Sequence, residues 1–235
     1  YQVYDIKSKQ LKAVSDKGKQ RIATFDPSGN KIAFVRDNNL YIKDISNNTE
    51  QAITNNGKAN AIINGAPDWV YEEEFSMDRA YYWSVDGSKI AYLRFDESAV
   101  PSFLLTEYDG GLYPTYSSFK YPKAGEPNSK VSLHIYDLAT QKTIDVAIKD
   151  TAEYYIPRFK WSADGSLCFF KLNRHQNDLN VYKVDATSGD VKAWLREKNP
   201  SYVEVAPGTN VMDNFLFLAN GSAIGLSEED GFNNI

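Results

Sequence analysis

Sulfur is scarce in this chain: one cysteine and two methionines in 235 residues. A single thiol closes no internal disulfide, so burial and hydrogen bonding must hold the fold, and its neighbours Leu167, Phe169 and Phe170 mark Cys168 as a small core residue. Histidine is nearly as rare, with two copies, and no His or Cys cluster has metal-ligand spacing. Positive charge is not in excess. The net charge of −5 leaves no basic footprint for a phosphate backbone, which excludes nucleic acid as the expected partner. No apolar run approaches the roughly 20 residues that span a bilayer, and no basic-then-apolar leader opens the chain. A glycine-rich phosphate loop is missing too, so no cofactor is indicated.

Aromatic residues, by contrast, are plentiful: 16 Tyr and 12 Phe within a 42% hydrophobic composition. Such side chains favour half-buried pleated surfaces, which points to β structure. The same short pattern returns along the chain, an apolar residue, a polar turn with Gly, then an alternating strand. It runs Phe25-Asp26-Pro27-Ser28-Gly29, Trp83-Ser84-Val85-Asp86-Gly87, Trp161-Ser162-Ala163-Asp164-Gly165 and, more weakly, Leu218-Ala219-Asn220-Gly221. Asp or Asn beside Gly supplies the turn conformations that a hairpin needs. Downstream of the turns come strands that end in Asp: Asn39 to Asp44, Leu133 to Asp137 and Asn180 to Asp185. Tyr1 to Lys7 has the same form, so the chain is expected to open on the closing half of a unit.

Antiparallel sheets of about four strands repeated in this way are the mark of a β-propeller. A sandwich would space its strands more evenly, without an echo at the level of the unit. The expected fold is therefore all-β, a partial arc of propeller blades. The units are 1–20, the end of a blade; 21–66, a blade; 67–149, a blade with insertions; 150–199, a blade; and 200–235, a partial blade. Long irregular insertions are expected around Asp96 to Tyr121 and just upstream of the second turn, and such insertions are where function tends to reside.

One segment departs from the blade pattern, Ala66-Pro67-Asp68-Trp69-Val70-Tyr71-Glu72-Glu73-Glu74-Phe75. Pro67-Asp68 followed by helix formers, with acids in the early turns, predicts a short helix. Three adjacent carboxylates can be a solvated cluster capping that helix. Trp69, Tyr71 and Phe75 argue for more, because they would press the segment against the sheets and hold the acids beside apolar surface, where an ion pair to an ammonium group is strengthened. Adjacent side chains on a helical turn diverge by about 100°, so at most two of the three converge on one ligand nitrogen.

The run Asp68-Trp69-Val70-Tyr71-Glu72-Glu73-Glu74 resembles the glutamate motif of the dipeptidyl peptidase IV family. The likeness extends through Trp83-Ser84 with Asp86-Gly87, Ala99-Val100-Pro101, Tyr121-Pro122-Lys123-Ala124-Gly125, Asn173 to Asn177 and Asp230 to Asn233. It implies an eight-bladed propeller joined to an α/β-hydrolase domain that releases N-terminal dipeptides with Pro or Ala in second position. Carried over by position, Glu73 and Glu74 are implied to grip the free α-amino group of the substrate, with Glu72, Trp69 and Tyr71 in support. The family's propeller also supplies an arginine from an earlier blade, at a position that would precede Tyr1.

The hydrolytic machinery of that family is not visible here. There is no Gly-x-Ser-x-Gly elbow, and His134, in an alternating strand, and His175, in a polar run, read as structural or surface residues without a recognisable Ser and acid. The fragment is expected to be silent alone, as the substrate-gating part of a serine dipeptidyl aminopeptidase. Its expected partners are a peptide N-terminus, its own C-terminal hydrolase domain and, through unpaired sheet edges, a second copy in a homodimer. The lack of disulfides favours a bacterial, periplasmic or secreted setting over an animal cell surface. The alternative is a non-catalytic propeller whose acidic segment recognises a basic protein partner. The residues alone leave the second-position preference open.

Overall fold

The computed structural model describes residues 1–150, 152–204, 213–218 and 220–235. It opens with a hairpin of β1 (Gln2–Asp5) and β2 (Gln10–Ala13). The first full sheet takes β3 (Arg21–Phe25), β4 (Lys31–Arg36), β5 (Asn39–Asp44) and β6 (Glu50–Ala52) in chain order, every neighbour antiparallel. Val14, beyond β2, packs with Ile32 and Phe34 and fastens the opening hairpin to this sheet.

The second sheet is built differently. Its first position is shared by β7 (Ile62–Asn64) and β8 (Tyr81–Trp83), which pair with the two halves of β9 (Lys89–Asp96), while the helix α1 (Trp69–Glu73) lies in the excursion between them. The acidic segment is thus set inside a strand and not between strands. After β9 the chain leaves as a hairpin, β10 (Ser102–Glu107) and β11 (Thr115–Lys120). It then returns to complete the sheet with β12 (Lys130–Asp137) and β13 (Lys142–Asp145).

The third sheet runs β14 (Tyr154–Trp161), β15 (Leu167–Asn173), β16 (Asp178–Val184) and β17 (Val191–Lys198) in simple meander order. A last short pair, β18 (Leu216–Phe217) and β19 (Ala223–Ile224), follows. Consecutive sheets are stitched through their first two strands. The Tyr81 hydroxyl donates to the Ala33 carbonyl (2.8 Å) and accepts from the Thr24 hydroxyl (3.0 Å), and the Trp161 indole N–H donates to the Tyr82 carbonyl (3.0 Å). Successive four-stranded meanders joined side by side in this manner are blades of a β-propeller, and the chain forms an arc of them.

The turn chemistry follows the sequence. Gly29, Gly87, Gly165 and Gly221 all take positive φ, between +71° and +83°. Beside them Ser84 donates to Asp86, and Ser162 to Asp164, locking the turn that feeds the next strand. Ala219, within the weakest echo, and residues 205–212, within the expected last unit, lie outside the described residues. Cys168 is fully buried, as its neighbours predicted.

Two expectations need correction. The boundary at 66/67 falls inside the second blade, because Ile62–Asn64 already pairs with β9; the excursion hides a strand that has been cut in two. The stretch from Asp96 to Tyr121 is not irregular. Ser102–Glu107 and Thr115–Lys120 pair in unbroken register from Ser102↔Lys120 to Glu107↔Thr115.

Candidate functional site

Helix α1 has five residues, far fewer than an isolated helix needs in water, so its surroundings must hold it. Asp68 caps its start in an extended conformation (φ −81°, ψ −179°), with its carboxylate accepting the Tyr71 N–H at 3.0 Å. The Met77 N–H donates to the Tyr71 carbonyl at 3.0 Å and folds the exit of the segment back on the helix. Asp68 is buried, and burial pushes its carboxyl above the ordinary value against the pull of the Tyr71 and Val70 N–H groups. Glu97, at the end of β9, is buried as well and also raised, first by burial and then by the charge of Asp68.

Tyr71 and Phe75, one helical turn apart, share the inner face. Each is only 1% exposed. The Tyr71 ring meets Phe75 (5.3 Å between centroids), Phe95 of β9 (4.7 Å) and Tyr155 of β14 (6.2 Å), all edge-on or nearly so. Its hydroxyl accepts the Ile156 N–H at 2.9 Å, which ties the segment to the third sheet. On the other flank Trp69 contacts Tyr121 edge-on at 4.4 Å. The predicted aromatic clamp is therefore present, built from two neighbouring sheets and the root of the β10–β11 hairpin.

Glu72, Glu73 and Glu74 fill the outer arc of the same turn, and all three are exposed. Here the expectation that the acids lie against apolar surface needs correction. The aromatics grip the backbone from the inner face and leave the carboxylates on the outer one. Among the described residues none of the three takes a hydrogen bond or an ion pair, so their acceptor capacity is unspent. A fixed backbone carrying adjacent, unpaired carboxylates is suited to a cationic ligand with several N–H donors, such as an ammonium group.

A cavity of about 580 Å³ opens near the floor of the helix, lined among others by Ala99, Asn128, Ser129, Glu153 and Arg174. Asn128 donates to the Tyr155 hydroxyl (2.7 Å), and the Tyr155 ring in turn packs on Phe75. The three glutamates do not line this cavity.

His134 does have partners that the sequence hid. Its Nδ1 lies 2.7 Å from Asp145 and its Nε2 lies 2.7 Å from the Ser132 hydroxyl. The order Ser-His-Asp is that of a hydrolytic triad, yet Ser132 and His134 are two apart on one strand and the imidazole is stacked on Tyr92 at 5.2 Å. Burial lowers the His134 pKa despite Asp145, which fits a neutral ring bridging two strands. His175 is exposed in the turn closed by the Gln176 N–H to the Asn173 carbonyl (2.9 Å). Only the pairing of β12 with β13 brings Asp145 opposite His134, so no local signal could have found this cluster.

A β-propeller arc with an acidic turn set into a blade's first strand defines the class of this molecule. All of residues 1–235 match the family described as the dipeptidyl peptidase IV (DPP IV) N-terminal region, and the chain belongs to that family. It is 36% identical over 210 residues to a probable dipeptidyl-aminopeptidase B of Emericella nidulans, covering 82% of this chain and 23% of the relative. With the dipeptidyl aminopeptidase B of Saccharomyces cerevisiae the identity is 35% over 193 residues, covering 79% and 23%. Among solved structures, Porphyromonas gingivalis dipeptidyl peptidase 4 superposes with a TM-score of 0.93 at 41% identity, over 99% of this chain and 33% of that one. A putative dipeptidyl aminopeptidase IV from Bacteroides ovatus gives 0.78 at 29%, over 99% and 31%. The chain thus spans about a quarter of the curated relatives and a third of the solved ones.

Proposed function

We propose that the α1 turn is the amine-binding element of a serine dipeptidyl aminopeptidase. Glu73 and Glu74 take the α-ammonium of a peptide N-terminus, with Glu72 beside them, while Trp69 and Tyr71 hold the turn from below. Two residues of substrate then separate the gripped amine from a nucleophile on an α/β-hydrolase domain elsewhere in the protein. The grip acts as a ruler and adds nothing to bond cleavage itself.

The observation that carries this reading is the contrast within one helical turn: Tyr71 and Phe75 buried and clamped, the carboxylates of Glu73 and Glu74 exposed and without partners among the described residues. A solvated capping cluster has no use for such fixation. The names of the relatives, all dipeptidyl peptidases or aminopeptidases, agree with it. The test is steady-state kinetics on the full-length protein with Glu73→Gln and Glu74→Gln, each of which removes a charge-assisted contact while keeping the shape.

A second reading is a non-catalytic module that recognises a basic protein, and the full exposure of all three glutamates favours it. A downstream hydrolase domain with a Gly-x-Ser-x-Gly elbow separates the two. Either reading accommodates association with a second copy. The β10–β11 hairpin pairs with no other strand among the described residues and exposes Leu104, Leu112 and Tyr113.

A further inference from the structure

We infer that Tyr71 is a positioning residue for the amine-binding carboxylates, and that its hydroxyl, more than its ring, fixes where Glu73 and Glu74 stand. The inference rests on the reading just given for those two glutamates.

The argument starts from β14. Its pairing with β15 runs Tyr154↔Asn173 and Tyr155↔Leu172, then resumes at Arg158↔Phe170. One extra residue is accommodated between, which is a β-bulge. Pro157 within the bulge has no N–H to offer, and the Ile156 N–H falls outside the ladder. Ile156 is fully buried, so an unpaired N–H there would be costly. The Tyr71 hydroxyl fills that vacancy at 2.9 Å.

Tyr71 is thereby held at three atoms. Its N–H goes to Asp68, its carbonyl accepts from Met77, and its hydroxyl accepts from Ile156. The first two bonds lie within the excursion and travel with it. Only the third is external and directional, since edge-on ring contacts tolerate sliding whereas a hydrogen bond loses strength with angle. The helix grows from the second sheet, but its height is set by the bulge of the third. Glu73 and Glu74 follow Tyr71 by two and three residues, so a shift of the phenol moves both carboxylates together. A small misplacement of a positioning group is enough to weaken a reaction that depends on geometry.

Tyr71→Phe in the full-length protein keeps the ring and deletes the hydroxyl. With active sites titrated, the KM for an Ala-Pro chromogenic substrate is expected to rise about five- to tenfold, and kcat to stay within about twofold. A merely structural role would instead reduce the active fraction or the melting temperature and leave KM unchanged in the molecules that remain active. That outcome overturns the inference. A measurement on the unaltered protein does not depend on the variant folding: saturation with the dipeptide Ala-Pro should slow hydrogen exchange at the Ile156 N–H at least about tenfold, by steadying the turn that caps it. No change on saturation also overturns the inference. If Glu73→Gln and Glu74→Gln raise KM and Tyr71→Phe does not, only the inference fails; if the glutamate variants are themselves normal, the reading beneath it fails.

Discussion

Trp69 meets Tyr121 edge-on with 4.4 Å between ring centroids, and this contact joins the first turn of α1 to the root of the β10–β11 hairpin. Tyr121 is itself fixed there by its N–H to the Pro101 carbonyl (3.0 Å) and by the Phe103 ring at 5.6 Å. The acidic turn is therefore braced from two directions, by the hairpin through Trp69 and by β14 through Tyr71. Trp69→Ala is expected to cost roughly 2 kcal/mol, below the value for a fully buried Trp because the indole is only partly buried. Urea denaturation measures it, and an unchanged midpoint would show that the hairpin bears no load.

Asp68 does two opposing things, capping the helix and paying for a buried charge beside Glu97. Asp68→Asn keeps the cap and removes the charge, so its stability at pH 7.5 should equal or exceed that of the unaltered protein. Asp68→Ala loses the cap and should fall by about 1 kcal/mol. Thermal melts of the two variants check the order, and a lower melting point for Asn than for Ala would reverse the assignment.

His134 makes stability depend on pH in a definite direction. Burial holds its folded pKa below the ordinary 6.5, with Asp145 opposing and Arg94 assisting. The folded state therefore binds fewer protons than the unfolded one, and stability that is full above pH 6.5 is lost as pH falls through that value, by at most about 1.4 kcal/mol per pH unit. His134→Gln should flatten the profile between pH 7.5 and 5.5, and equal slopes in both proteins would contradict this. A second loss is expected lower down. Asp86, Asp137 and Asp164 are each held to about 2 by bonds from Ser84, Lys89 and Ser162, so their contribution drains between pH 3.8 and 2.

The hairpin offers a test of self-association. Replacing Leu104, Leu112 and Tyr113 together by Ser removes exposed apolar surface, with Leu112 at 99% exposure and Tyr113 at 85%. All three side chains are mostly exposed, Leu104 least so at 60%, so folding stability should largely hold while the mass by light scattering drops from dimer to monomer. A protein that is monomeric before the change, or dimeric after it, refutes association through this surface.

Much of this architecture was legible because its signals are local. A glycine beside Asp or Asn announces a hairpin turn, and Asp68 ahead of Trp69 announces a helix start; both are where they were expected. What escaped was decided by pairing across the sheet. Ile62–Asn64 and Tyr81–Trp83 look like two unrelated short strands until β9 pairs with both. Ser132, His134 and Asp145 become neighbours only through the register of β12 and β13. At the site, the sequence showed which aromatics clamp the turn but not which face the acids occupy. Burial of Tyr71 and Phe75 inside sends Glu72 to Glu74 outward.

Binding measured by calorimetry on the full-length protein tests the central claim most directly, with the dipeptide Ala-Pro compared against its N-acetylated form. Acetylation removes the positive charge and most of the donors, so affinity should fall by at least about a hundredfold, the worth of charge-assisted bonds to two carboxylates. In the double variant Glu73→Gln, Glu74→Gln the two ligands should bind nearly alike. Equal affinity for both ligands in the unaltered protein, or an undiminished preference for the free amine in the double variant, would contradict the account.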